Sequence, residues 1–227
     1  MVAEGYDLFV DRVDAGRRLG ARVAAYLRDH GLTQRPLVLG LPRGGVVVAA
    51  EVAKAVDGDL DVVVARKIGF PGNPEFGIGA VSEHGPPVFN REVLARAGLT
   101  EDDLAAEVEH QRAEVQRRLA RYRGDRPPPP VTGGLVVLVD DGLATGVTAR
   151  AALAELRRRG PQHLIFAAPV CAADAVETLE DADAVVYVRA EEYFGSVGSW
   201  YIDFAQTTDD DVVALLNRAW AAGRAGG

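Results

Sequence analysis

The sequence predicts an α/β fold, a doubly wound parallel sheet of about five strands with its working loops at the carboxyl ends of the strands. Three observations predict it. Residues 135–139 are an unbroken apolar run rich in β-branched side chains, which suits a strand buried on both faces. Twice, over 37–56 and over 135–159, a short apolar run passes through a glycine turn into a helix-forming segment. Strand-length runs and helical periodicity then alternate along the chain.

Composition sets the bounds. A chain of 227 residues can bury a sizeable core as one domain, and 48% apolar with 26% charged residues is ordinary globular usage. No apolar run is long enough to span a bilayer, and no charged-then-apolar leader opens the chain, so the cytoplasm is the expected location. Twenty-five basic against 33 acidic residues leave a net charge of −8, which argues against DNA or an anionic membrane as partner. Cys171 has no second cysteine to pair with and reads as a buried structural thiol.

The elements follow in order. Residues 7–29 space Leu8, Phe9, Val13, Leu19, Val23, Tyr26 and Leu27 mostly three or four apart, an amphipathic helix with no visible chemistry. Residues 37–41 form a strand that runs through Pro42-Arg43-Gly44-Gly45 into a helix over 46–56. A Gly-Gly turn, a cation and a helix N-terminus together suit an anion. Residues 60–65 are the next buried strand, closed by Arg66-Lys67. From 68 to 76, Gly69, Pro71, Gly72, Asn73 and Pro74 break helix and strand alike, and a mobile loop is expected. A short strand over 77–82 leads to Glu83-His84-Gly85. Residues 101–122 are the clearest long helix, with Leu104, Val108, Val115, Leu119 and Tyr122 on one face and Thr100 as N-cap to Asp103. Four prolines, 127–130, make a stiff return.

The densest chemistry follows the 135–139 strand. Asp140 and Asp141 end it, and Gly142, Ala144, Thr145, Gly146, Val147 and Thr148 lead into a helix. Glycines let backbone N–H groups close on an anion, threonines add donors, and the helix presents its positive end, so a phosphate fits. Two carboxylates repel phosphate and must face something else. The vicinal hydroxyls of a ribose donate well to carboxylates, and the stretch reads as a cradle for a ribose 5-phosphate. A Walker loop is excluded because no Gly-Lys-Ser/Thr follows. Strands over 163–170 and 184–188 enclose a helix over 172–180; His163 reads as a strand-end residue. The segment 191–206 concentrates aromatics, and a capped helix over 208–220 precedes a frayed tail to 227.

Residues 136–148 resemble the phosphoribosyl-pyrophosphate (PRPP) signature of the type I phosphoribosyltransferases: four apolar residues, two acids, a Gly/Thr loop and a Thr. The likeness covers most of 36–206 and extends to small bacterial phosphoribosyltransferases of unassigned acceptor. It implies the fold of that family in one domain over 1–227, with a core at about 36–190, a helical insertion at about 90–126, a small hood at about 191–206 and a terminal helix. It implies a PRPP-dependent transferase that uses Mg²⁺ and releases pyrophosphate, its acceptor a small, purine-like nitrogen base, and a homodimer. By position, Asp140 and Asp141 take the ribose hydroxyls and lie near Mg²⁺, with Asp141 also a catalytic candidate. Gly142 and the residues Ala144, Thr145, Gly146, Val147 and Thr148 hold the rest of the sugar phosphate. Arg43, Gly44, Gly45 and Lys67 take the pyrophosphate, and the family's cis peptide falls at Pro42–Arg43.

The stretch 64–85 is similar to adenine phosphoribosyltransferases, whose Leu-Glu-Tyr-Gly tetrad places the proton-shuttling carboxylate at Glu83, with His84 for the Tyr. Ala144 also matches the adenine branch, where the 6-oxopurine branch has Asp. The hood resemblance offers Tyr193 or Phe194 for stacking on the base and Asp203 for an exocyclic group, with Trp200, Tyr201 and Phe204 as a small core beneath. A PRPP-sensing regulator without turnover is the alternative the same residues allow.

Overall fold

The computed structural model describes residues 8–225. Helix α1 spans Arg12–Asp29, strand β1 Leu37–Gly40, helix α2 Gly44–Ala55 and strand β2 Asp59–Val62. Strands β3 (Ala65–Phe70), β4 (Asn73–Ser82) and β5 (Val88–Phe89) follow, then helices α3 (Arg91–Ala97) and α4 (Ala105–Arg123). Strand β6 is Leu135–Val139, helix α5 Val147–Arg158, strand β7 His163–Ala172, helix α6 Ala173–Val176, strand β8 Ala184–Glu191 and helix α7 Asp209–Ala225.

Five strands form a parallel sheet in the order β2-β1-β6-β7-β8, as the sequence predicts. The period-two geometry of a strand divides β6 between two layers. Leu135, Val137 and Val139 face a core shared with Leu19 of α1, Val52 of α2 and Leu216 of α7. Val136 and Leu138 face a second core with Leu153 and Leu156 of α5. The chain leaves β1 towards β2 and leaves β6 towards β7, in opposite directions along the sheet. The order therefore reverses between β1 and β6, and a crevice opens there at the carboxyl ends.

Four expectations are corrected. The mobile loop over 68–76 is instead the turn of an antiparallel sheet, β3-β4-β5. Its glycines mark close approaches. A side chain at Gly69 would meet Pro74, one at Gly77 the stem of Lys67, and one at Gly79 the Phe89 ring, while Gly72 turns the hairpin at φ +80°. Arg66 and Lys67 accordingly lie within β3 and do not close a core strand. The helix over 172–180 shrinks to α6, because β7 runs on to Ala172, pairing Cys171 with Ala190 and bridging Leu143. The first helix starts at Arg12, where Asp11 caps it by accepting from the Asp14 N–H at 2.8 Å, and Phe9 leaves the helical face to pair with Tyr201. Asp7 and the tail at 226–227 lie outside the described residues.

Helix α4 buries Val108, Val115, Leu119 and Tyr122, the expected face, against β3, β4 and α7. The Tyr122 hydroxyl donates to Asp209 Oδ1 at 2.7 Å, tying α4 to the first turn of α7. This bond holds Asp209 below the usual carboxylate range, and burial with Asp209 pushes Tyr122 up to about 12. The depressed Asp209 contributes stability that is present above the ordinary carboxylate range and lost as pH falls through its folded value. The raised Tyr122 contributes stability that is present below pH 10 and lost as pH rises through about 12. Tyr122→Phe is expected to cost about 1–2 kcal/mol at neutral pH in urea unfolding, with the gap to the parent narrowing on acidification. A gap that stays constant down to pH 3 would contradict this.

Candidate functional site

The two glycine turns meet at the reversal point. Strands β1 and β6 pair in parallel with Gly40 beside Val139, and the Leu41 N–H donates to Val139 O at 2.9 Å. The turns that follow, 41–45 and 140–146, therefore leave the sheet side by side. A Cβ on Gly44 would collide with the Asp141 carboxylate, and one on Gly45 would lie 2.9 Å from Asp140 Cα. Both glycines are needed here for the approach of one turn to the other, a reason additional to room for an anion. The Pro42–Arg43 peptide is cis, at the position expected. Gly146 adopts φ +70° at the start of α5, and Gly44 opens α2. The start of α2 lies against the Asp140–Asp141 pair, and α5 begins at the end of the second turn; each presents first-turn N–H groups that have no intrahelical partner.

The acidic pair is not left to repel itself. Arg12, the first residue of α1, donates from Nε to Asp141 Oδ2 at 2.7 Å and from Nη1 to Ala205 O at 2.8 Å. Its guanidinium stacks 3.8 Å above the Phe204 ring. Asp140 Oδ1 accepts from the Asp141 N–H at 2.9 Å. Burial, and then the Asp141 charge, push the Asp140 carboxyl well above the usual range. The Tyr201 hydroxyl donates to Asp141 O at 2.6 Å, and Val197 packs on Gly142, so the segment 197–205 is fastened directly over the acidic turn. Burial and the nearby Asp141 push the Tyr201 phenol up, and burial with Asp140 pushes Cys171 up to about 12, consistent with an inert thiol.

Ala144 and Thr145 are exposed on the rim, Thr148 is half-buried, and Val147 is buried against Ala80 and Ala151. Arg43 caps α2 and reaches towards Asp209, Nη1 to Oδ1 3.9 Å. Lys67 sits opposite Ala80 in β3 with its stem over Gly77.

Glu83 lies in a buried ion cluster. Both of its oxygens accept from Arg123 Nη1 at 2.9 Å, and Arg123 Nε donates to Asp61 Oδ1 at 3.0 Å. The Arg123 and Glu83 side chains are 5% and 6% exposed. Glu83 thus has both oxygens engaged by a buried guanidinium, in an ion triad with Arg123 and Asp61. The residues expected at the acceptor lie in different settings. Tyr193 is 93% exposed, Phe194 is buried against Trp200 at 6.2 Å between ring centroids, and Asp203 Oδ1 accepts from its own turn at the Ala205 N–H. Tyr201 and Phe204 lie at the acidic pair.

Sequence reasoning missed Arg12. It lies 129 residues from Asp141, and nothing local marks it. As for Mg²⁺, no group of three or more His, Cys, Asp or Glu residues gathers among the described residues. The Asp140–Asp141 pair fits an ion whose other ligands are substrate oxygens. No helix among them is long and apolar enough to cross a membrane.

Comparison with known proteins agrees with this geometry. A family model described as the phosphoribosyl transferase domain matches residues 10–205. The crystal structure of TT1426 from Thermus thermophilus is 44% identical with a TM-score of 0.76, covering 93% of this chain and 98% of that one. Two Mycobacterium tuberculosis proteins, MT0597 and Rv0571c, provisionally named phosphoribosyl transferases, are each 44% identical over 213 residues. The match takes in 93% of this chain and 47% of theirs, so the chain spans about half the length of the curated relatives it matches. The turns that meet between β1 and β6 and the matched family model lead to one statement: the chain belongs to the phosphoribosyl transferase domain family.

Proposed function

We propose that this chain transfers the 5-phosphoribosyl group of PRPP to a nitrogen acceptor and releases pyrophosphate. The observation that carries the reading is the packing of Gly44 against the Asp141 carboxylate, which sets the two anion turns against one another across a single crevice. Asp140 and Asp141 accept from the ribose hydroxyls. The N–H groups from Ala144 to Thr148 hold the 5-phosphate, aided by the hydroxyls of Thr145 and Thr148. Arg43 and the Gly44–Gly45 start of α2 hold the pyrophosphate, with Lys67 reaching in from the β3–β4 hairpin. When bound, Mg²⁺ supplies positive charge against the pyrophosphate and ribose oxygens.

In the reaction the C1–O bond to pyrophosphate breaks, the electron pair leaves on pyrophosphate, and the acceptor nitrogen forms the C1–N bond. The acceptor's proton passes to solvent. This chain's part is to orient the sugar and to stabilise charge on the leaving group. A purine-like base is the first acceptor to try. Ala144 offers no carboxylate to a 6-oxopurine, and Phe204, 38% exposed beside the acidic pair, offers a ring edge to a planar base.

The test is pyrophosphate release from PRPP with a panel of purines, pyrimidines and small amines. Release with at least one planar nitrogen base is expected. Tight PRPP binding with no release from any acceptor would favour a PRPP-sensing protein, and no PRPP binding would end the reading. Gly44→Ala, which drives a methyl group into the Asp141 carboxylate and Arg12, is expected to weaken PRPP binding by about tenfold or more in a calorimetric titration.

A further inference from the structure

Arg12 belongs to neither glycine turn, yet it touches the centre of the site. Its side chain is 12% exposed, and three contacts fix it: the Asp141 carboxylate, Ala205 O and the face of Phe204. It stands where the two turns meet, since a Cβ on Gly44 would lie 2.6 Å from Arg12 Nε. The guanidinium uses one direction of approach to Asp141 Oδ2. An ionised carboxylate offers about four, so sugar hydroxyls can bond to Asp141 while Arg12 stays in place.

We propose that Arg12 is a positioning residue for the phosphoribosyl site, holding Asp141 in the orientation that receives the ribose hydroxyls and joining the segment 201–205 to the acidic pair. The proposal rests on the PRPP reading above. The Asp141 carboxylate repels a polyanionic sugar, and the guanidinium paired with it offsets part of that carboxylate's charge. A guanidinium also fixes direction, which an ammonium does not: its planar donors engage Asp141 and Ala205 O together while its face lies on Phe204. Arg12 acts on the ligand through Asp141, so its effect depends on that carboxylate.

The experiment is calorimetric titration of the full chain with PRPP for the parent, Arg12→Gln, Arg12→Lys, Asp141→Asn and the double variant Arg12→Gln/Asp141→Asn. Thermal unfolding of each is followed in parallel. Arg12→Gln is expected to weaken PRPP binding by about tenfold, and Arg12→Lys to recover only part of it. The double variant should bind PRPP within about twofold of Asp141→Asn alone, because the residue through which Arg12 acts is already gone. A purely structural role for Arg12 would carry its full penalty into the double variant, and that result overturns the proposal. So does an Arg12→Gln variant that binds as the parent does. If Arg12→Gln fails to fold, Arg12→Lys and its pairing with Asp141→Asn give the same comparison. A parent chain that does not bind PRPP overturns the underlying reading and the proposal with it, whereas a parent that binds while Arg12→Gln is unchanged overturns the proposal alone.

Discussion

Replacing Asp140 and Asp141 together by Asn is expected to lower PRPP affinity by about a hundredfold or more. Each carboxylate is assigned a charge-assisted bond to a ribose hydroxyl, worth roughly 1.5–3 kcal/mol, and an amide oxygen replaces that bond poorly. Stability should move the other way for Asp140→Asn alone. Burial and the adjacent Asp141 raise the Asp140 carboxyl. A raised carboxyl contributes stability that is present below the unfolded value and lost as pH rises through the folded one. At neutral pH, above the unfolded value, part of that contribution is already lost, and Asn, which does not titrate, removes the cost. Calorimetric titration with PRPP and urea unfolding at pH 7 check the two halves. Unchanged affinity in the double variant sinks the assignment of the sugar site. A marked loss of stability in Asp140→Asn would show that the carboxylate is structural.

Arg123→Met is the largest stability effect expected. Arg123 is the shared cation of the triad, and its removal leaves Asp61 and Glu83 buried without compensation. Such a loss costs about 3–5 kcal/mol. Burial already raises the Asp61 carboxyl despite Arg123 beside it. In the variant, its stability contribution is likewise present at acid pH and lost as pH rises through the folded value. The deficit should therefore be deepest at pH 7 and shrink as pH falls. Asp61→Asn/Glu83→Gln/Arg123→Met should be milder than Arg123→Met alone, since no unpaired charge remains. Urea unfolding at pH 7 and pH 5 measures both. A deficit that does not change with pH would assign the loss to the packing of the Arg123 stem.

These two sites show what a one-dimensional reading reaches. The buried strand at Leu135–Val139, the turn after Asp141, the Gly44–Gly45 turn and the buried face of α4 are legible because each is written in adjacent or periodic residues, whereas the cis peptide at Pro42–Arg43 is expected from the family resemblance alone. The β3–β4 hairpin is not, because Gly69, Gly77 and Gly79 look like breakers until the side chains that crowd them are known. The ion pair of Glu83 is not legible either, because its partner Arg123 is 40 residues away. Arg12 and Asp141 meet over 129 residues, brought together through the segment 200–205, which pairs with Phe9 and Val10 and bonds to Asp141 O through Tyr201. The packing of the aromatics is hidden for the same reason. Phe194 and Phe204 are alike in sequence, and burial against Trp200 or exposure beside Arg12 separates them.

The central claim is that the turns after β1 and β6 bind opposite ends of one molecule. Competition calorimetry with three probes tests it most directly: PRPP, ribose 5-phosphate and inorganic pyrophosphate. Both fragments should bind, each more weakly than PRPP, and PRPP should displace them both. If PRPP displaces one fragment and leaves the other bound, or binds no tighter than ribose 5-phosphate, the two turns do not serve a single ligand.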